Sequence, residues 1–256
     1  MKLYNTKSRS KEEFVPLQGG KLKLYACGPT VYNYFHIGNA RAFIFFDVVR
    51  RYFEYLGYEV TYVQNITDID DKIIEQAISE NKDFQDIADK YATAFLEDCE
   101  ALGIKKPSVQ PRATEVMPQI ITLIERLVHK GNAYEAEGDV YFDTASLPSY
   151  GSLSGKQIED QMVGARVAEN TMKKHPADFT LWKKSKPGEP RWQSPWGEGR
   201  PGWHTECVVM SQHYLGEHFD IHGGGIDLVF PHRIFHINQI QAPTAEILVS
   251  PAVFCH

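Results

Sequence analysis

The chain has 256 residues, of which 43% are hydrophobic and 23% are charged, and its formal net charge is −6. This length allows one large domain or one domain with an insertion. The acidic balance argues against a broadly basic surface that grips nucleic acid, and no apolar run is as long as a membrane span. Since the first ten residues resemble neither a secretory signal nor a transit peptide, we expect a cytoplasmic protein with no membrane partner.

The first elements predict a β-α-β unit. Residues 21–27 alternate in polarity and indicate a strand, and 59–64 indicate a second strand rich in β-branched and aromatic residues. Between them, 38–56 is aromatic-rich and predicts a helix that Gly57 ends. A strand, a helix and a strand in this order indicate a right-handed unit of a parallel sheet.

Three helices are predicted next. Thr67 is expected to cap the first of them, which runs to about Glu80, because a threonine hydroxyl accepts from the free amides of a first helical turn. Residues 84–102 and 115–130 predict two further amphipathic helices.

The character of the sequence changes after Gly131. Residues 134–142 predict a hairpin with Gly138 at its tip, and 148–202 are rich in Gly, Pro, Ser and Trp with little periodicity. A helix over 206–214 and a strand over 219–222 indicate that the parallel sheet then resumes. The predicted division is a first half of the parallel-sheet domain (1–115), an insert (116–200), a second half of that domain (201–232) and a tail (233–256).

A possible phosphate site lies at the start of the long helix. His36, Gly38 and Asn39 stand between the first strand and that helix, where open amides and the helix dipole favour an anion. His36 can donate a hydrogen bond to charge that develops on a phosphate. The spacing is neither that of a Walker A loop nor that of a G-x-G-x-x-G fingerprint.

A glycine run forms a second candidate site. Gly223, Gly224 and Gly225 follow His222 at the end of a predicted strand, and Asp227 comes shortly after them. Three glycines offer a flat backbone surface to a planar base, although a plain flexible turn is an equal alternative. Asp227 can bind a ribose hydroxyl or an ammonium group.

A third candidate is a metal site. Cys27, Cys207, His232 and His236 are residue types that bind zinc. Cys27 ends the first strand and Cys207 begins the later helix, while the two histidines are spaced i, i+4. Taken singly, each cysteine is more typical of a small buried apolar residue than of a metal ligand.

Four sequence runs together resemble cysteinyl-tRNA synthetases, a class I synthetase family. They occur in the order in which that family has them, and they are Tyr25 to Arg41, Asn65 to Lys72, Gly199 to Cys207, and His222 to Gly225. The resemblance implies an α/β fold, a Rossmann-type parallel-sheet nucleotide-binding domain split by a connective insert. It also implies activation of L-cysteine with ATP to cysteinyl-adenylate, followed by transfer of the cysteine to tRNA(Cys). We expect the protein to be a monomer.

The resemblance further implies roles for individual residues. The implied zinc ligands are Cys27, Cys207 and His232, with His236 at the fourth position. The implied cysteine-binding residues are Thr67, Trp203, His222 and Asp227. The implied ATP-binding residues are His36, Gly38, Asn39, Gly223, Gly224, Gly225 and Asp227, and of these His36 and Asn39 are also implied to be catalytic. Zinc (Zn²⁺) prefers a soft thiolate to a hydroxyl, so it would separate cysteine from serine. Mg²⁺ is expected on the ATP phosphates. The catalytic effect is expected to come from positioning the cysteine carboxylate for attack on the α-phosphate and from stabilising the charge that develops there.

The chain also departs from the family's pattern. The family has His-Glu-Asn-Glu after His232 and takes its fourth zinc ligand from the last Glu, whereas this chain has 233–236 with His236 there. This histidine either replaces the ligand or belongs to an unrelated tail, such as a frameshift would produce. The second nucleotide signature, Lys-Met-Ser-Lys-Ser, and the tRNA-binding region are absent from the 256 residues. We therefore expect these residues alone to bind zinc weakly and to charge tRNA poorly.

Two alternatives remain open from the sequence. One is a ligase that joins cysteine to a sugar amine in mycothiol synthesis, which resembles the same family. The other is a non-catalytic zinc-binding fragment of the synthetase.

Overall fold

The computed structural model describes residues 1–6, 8–147 and 172–225, and the backbone of 245–249. The strands are β1 (Lys2–Asn5), β2 (Ser10–Glu13), β3 (Lys21–Ala26), β4 (Glu59–Gln64), β5 (Ala133–Ala136), β6 (Asp139–Phe142), β7 (Phe179–Lys184), β8 (Gly199–Pro201), β9 (Ile221–Gly225) and β10 (Ala245–Val249). The α-helices are α1 (Ile37–Tyr55), α2 (Asp71–Glu80), α3 (Phe84–Ala101), α4 (Met117–His129) and α5 (Thr205–Leu215). None of the helices in the described ranges has the length and apolar character needed to cross a membrane.

A four-stranded parallel sheet in the order β10-β9-β3-β4 forms the centre of the fold. Leu22 and Leu24 of β3 pack with Phe46 of α1 on one face. Tyr25 packs on the opposite face in a core that also contains residues of α4 and α5, among them Val208. A parallel sheet covered on both faces is what crossover helices produce. The predicted β-α-β unit is confirmed, with element bounds within one residue of those expected.

The predicted helix cap at Thr67 is wrong. Helix α2 begins at Asp71, and its cap is Asp70, whose carboxylate accepts from the backbone N–H of Lys72 at 3.0 Å. Thr67 instead forms a parallel bridge with Thr30, so its backbone stays extended. The bridge is a contact between distant parts of the chain, and it delays the start of the helix by one turn.

This correction gives a stability prediction. Asp70→Ala is expected to lower the free energy of unfolding by about 1 kcal/mol, because it removes the side-chain acceptor at the start of α2. Asp70→Asn is the matched control, since the asparagine oxygen can accept the same bond. Urea unfolding of both variants measures the difference; equal losses in the two variants would contradict the assignment of the cap.

The region after α4 forms a second, antiparallel sheet in the order β5-β6-β7-β8. The predicted hairpin is confirmed, and its tip is Glu137-Gly138, where both residues have positive φ (55° and 93°). Strands β7 and β8 lie in a region where no strands were predicted. Arg200 of β8 forms an ion pair of 2.6 Å with Asp71 at the start of α2, which fastens this sheet to the helix.

The glycine run lies within strand β9 and not after the predicted strand, so the alternative of a flexible turn is wrong. Gly223, Gly224 and Gly225 are part of β9, and Ala26 of β3 is paired with Gly223. A Cβ on Gly223 would lie 2.1 Å from Cε1 of Phe46, so the ring of Phe46 occupies that space. Strand β10 pairs with all of β9 and comes from the predicted tail. The predicted division of the chain into halves, insert and tail remains a prediction.

Candidate active site at the carboxyl edge of the parallel sheet

A cavity of about 490 Å³ opens where the parallel strands end. Its lining includes Cys27 after β3, Asn65 after β4 and Gly225 at the end of β9. His36, at the start of α1, borders the same space. Ligands of open α/β sheets bind in such a crevice outside the carboxyl ends of the strands. This cavity is therefore the candidate active site.

Two thiols from distant parts of the sequence meet at this cavity. Cys27 follows β3, and Cys207 lies in the first turn of α5 with only 2% of its surface exposed. Their thiols are within hydrogen-bonding reach of each other. Burial, together with the neighbouring Cys27 thiol, raises the pKa of Cys207 well above its ordinary value. A positive ion would reverse this effect, since metal coordination deprotonates a thiol.

The thiol pair fits half of a tetrahedral zinc site. Soft sulfur donors at one cavity wall suit Zn²⁺. His232 and His236, the two predicted partners, lie outside the described residues, as does Asp227. Within the described ranges, no group of three His, Cys, Asp or Glu side chains is arranged around one point.

His36 and Asn39 form the amino-terminal cap of α1. Nδ1 of His36 accepts from the backbone N–H of Gly38 at 3.1 Å, and Oδ1 of Asn39 accepts from the N–H of His36 at 3.3 Å. A neutral imidazole that accepts at Nδ1 carries its proton on Nε2. His36 therefore has one N–H left to donate, at the helix end where an anion is favoured.

The other predicted site residues divide into two groups. Thr67 and Trp203 line the cavity, and Trp203 is 39% exposed. His222 is fully buried against the rings of Tyr25 and Phe219. Of the predicted residues in the described ranges, those that do not line the cavity are His222, Gly223 and Gly224.

Several cavity residues were not predicted from the sequence. Arg41 of α1 and Lys72 of α2 bring two positive charges to the lining, and the Lys72 ammonium lies 5.0 Å from the ring centre of Tyr32. Asn65 follows β4 directly. Two signals were available for Asn65. It begins one of the four sequence runs, and a polar residue just after a parallel strand lies at the edge where ligands bind.

Asn65 is the centre of a buried hydrogen-bond network. Its Oδ1 accepts from the backbone N–H of Gly28 at 2.9 Å and from the hydroxyl of Tyr25 at 3.0 Å. Its Nδ2 donates to Oγ1 of Thr67 at 3.1 Å, and Thr67 donates to Glu206 at 2.9 Å. Burial raises the pKa of Glu206 well above its ordinary value. The network links the ends of β3 and β4 to the first turn of α5.

Comparison with models of known protein families shows which family this chain belongs to. The sequence model described as the class I (C) tRNA synthetase catalytic domain matches residues 13–252. The chain belongs to this family. The prediction made from the four sequence runs is confirmed, and the match extends past Gly225, where the last of those runs ends.

Curated relatives give the same family at higher identity. The chain is 56% identical over 246 residues to the cysteine–tRNA ligase of Carboxydothermus hydrogenoformans. It is 58% identical, also over 246 residues, to the cysteine–tRNA ligase of Clostridioides difficile. Each alignment covers 96% of this chain and 53% of the relative. This member of the family thus spans about half the length of the curated relatives it matches.

Solved structures support the Rossmann-type fold. The methionyl-tRNA synthetase of Mycobacterium tuberculosis, in complex with methionyl-adenylate, superposes with a TM-score of 0.63 at 13% identity, covering 90% of this chain and 57% of that one. A putative arginyl-tRNA synthetase from Campylobacter jejuni superposes with a TM-score of 0.57 at 13% identity, covering 90% and 54%. At this identity the likeness concerns the fold alone, and it confirms the predicted fold class.

Proposed function

We propose that the chain is the amino-terminal part of a cysteine–tRNA ligase that activates L-cysteine with ATP and transfers it to tRNA(Cys). The observation that carries the proposal is the meeting of Cys27, Cys207 and Thr67 at one cavity, beside the helix start marked by His36. These residues come from three of the four sequence runs, which are far apart in the chain. Their convergence is what an amino acid and a nucleotide phosphate in adjacent positions would require.

The thiol pair supports recognition of cysteine through zinc. Cys27 and Cys207 would supply two ligands, and His232 and His236 are the proposed others. When bound, zinc would supply a Lewis acid that prefers the substrate's thiolate to the hydroxyl of serine. An apolar pocket alone separates such near-isosteres by only about 1–3 kcal/mol. The protein's own thiols therefore serve to select the substrate.

The charges at the cavity support a phosphate-binding role. His36 has an N–H on Nε2, and the start of α1 favours an anion. Arg41 and Lys72 add two positive charges to the same lining. They would stabilise the negative charge on ATP, which class I tRNA synthetases use with Mg²⁺. Of the predicted ATP-binding glycines, Gly38 and Gly225 line the cavity.

Ligand binding by the zinc-loaded 256-residue chain tests the proposal. Calorimetric titration is expected to give binding of L-cysteine at least about 100-fold tighter than that of L-serine, because zinc adds to the modest discrimination of a pocket. The preference should disappear after zinc is removed by a chelator and return when zinc is restored. Equal affinity for the two amino acids, or a preference that does not depend on zinc, would contradict the proposal.

A further inference from the structure

The hydroxyl of Thr67 has two partners and little remaining hydrogen-bonding capacity. Thr67 is 2% exposed, accepts from Asn65 and donates to Oε2 of Glu206. Its backbone is also fully used, since its N–H donates to the carbonyl of Pro29 at 2.9 Å and its carbonyl accepts from Val31 at 3.1 Å. A hydroxyl has one proton and two lone pairs. One lone pair is therefore all that Thr67 retains for a ligand.

Asn65 fixes the direction of this arrangement. The backbone N–H of Gly28 can only donate, so the amide oxygen of Asn65 must face it at 2.9 Å. The amide nitrogen then faces Thr67, and a flipped amide would lose the bond to Gly28. Asn65 is 1% exposed and Glu206 is 2% exposed, so water does not readily replace either partner.

We infer that Asn65 and Glu206 are positioning residues that make Thr67 a hydrogen-bond acceptor for the α-ammonium group of the amino acid. This inference rests on the proposed function. At neutral pH the carboxylate of cysteine has no proton to donate, and its thiol is directed to Cys27 and Cys207. The ammonium group is the donor that remains. Glu206 acts through Thr67, because it does not itself line the cavity.

Binding of three thiol ligands distinguishes the proposed role of Thr67, as an acceptor for the ammonium group, from a purely structural role. L-Cysteine and cysteamine carry the ammonium group, whereas 3-mercaptopropionate carries the carboxylate without it. Calorimetric titration of the zinc-loaded chain with each ligand gives the affinity that depends on the ammonium group. Thr67→Val removes the hydroxyl at nearly constant volume. It is expected to weaken cysteine and cysteamine binding roughly 10- to 100-fold and to leave 3-mercaptopropionate binding within about twofold.

The Glu206 variants test the positioning role itself. Glu206→Leu leaves the Thr67 hydroxyl free to rotate, so the ammonium-dependent affinity should fall by roughly tenfold. Glu206→Gln retains an acceptor for that hydroxyl and should restore most of the affinity. Thr122→Val is the matched control, because the exposed Thr122 hydroxyl bonds only to the carbonyl of Pro118 in α4. Unfolding midpoints of all variants separate loss of binding from loss of folding.

The possible outcomes distinguish this inference from the proposed function. If Thr67→Val weakens all three ligands equally, or weakens only those that carry a carboxylate, the inference is overturned while cysteine recognition stands. The same holds if Glu206→Gln is no better than Glu206→Leu. If the unaltered chain binds no cysteine, the proposed function fails, and the inference fails with it.

Discussion

Gly28→Ala is expected to destabilise the protein by about 3 kcal/mol or more. A Cβ on Gly28 would lie 1.6 Å from the backbone oxygen of Asn65 and 2.8 Å from its carbonyl carbon. Both atoms are backbone, so no side-chain rotation can relieve the overlap, and the ends of β3 and β4 would have to separate. Overpacking of this kind costs typically 1–3 kcal/mol, and sometimes more. Urea unfolding of the variant measures the loss.

Gly19→Ala is the matched control for this prediction. No heavy atom lies within 4 Å of a Cβ built on Gly19, which is exposed. The control should change the free energy of unfolding by less than about 0.5 kcal/mol. Equal stability of the two variants would show that β3 and β4 can separate without cost. Separation would also break the bond between Gly28 and Asn65, so cysteine binding should fall with stability in Gly28→Ala.

Local patterns in the sequence were sufficient to predict the central unit of the fold. Strand β4 begins and ends at the predicted residues, and α1 differs by one residue at each end. The patterns succeed because each element buries its own apolar face, as Leu22 and Leu24 do against α1. Strands β7 and β8 were missed, since their pairing depends on β6 and on each other rather than on a periodic pattern.

Features that depend on distant contacts could not be predicted locally. Thr67 has the chemistry of a helix cap, but its bridge to Thr30 holds it extended. Gly223 has the chemistry of a ligand surface, but Phe46 fills the space beside it. Asn65 begins one of the four sequence runs, but its role is visible only when Gly28 and Thr67 are brought to it. In each case a partner far away in sequence decides what the residue does.

Cys207→Ser is expected to lower the affinity of the chain for zinc by more than about 100-fold. Loss of a residue that merely orients a zinc ligand already costs 10- to 100-fold, and serine replaces a soft thiolate with a hard, protonated hydroxyl. Cys27→Ser should have an effect of similar size, because the two thiols are neighbours at one cavity wall. Competition with a chelator of known affinity measures each loss relative to the unaltered chain.

Cys99→Ser is the matched control for the thiol variants. Cys99 is partly buried in α3, away from the cavity lining, and burial raises the pKa of its thiol to about 12. Cys99 does not line the cavity where Cys27 and Cys207 meet, so this variant should hold zinc as tightly as the unaltered chain. Cys207→Ser with the affinity of Cys99→Ser would contradict the proposed metal site. A large loss of zinc affinity in both Cys27→Ser and Cys207→Ser, with no loss in Cys99→Ser, would mean that one zinc ion is coordinated by two thiols that are far apart in the sequence and adjacent in the fold.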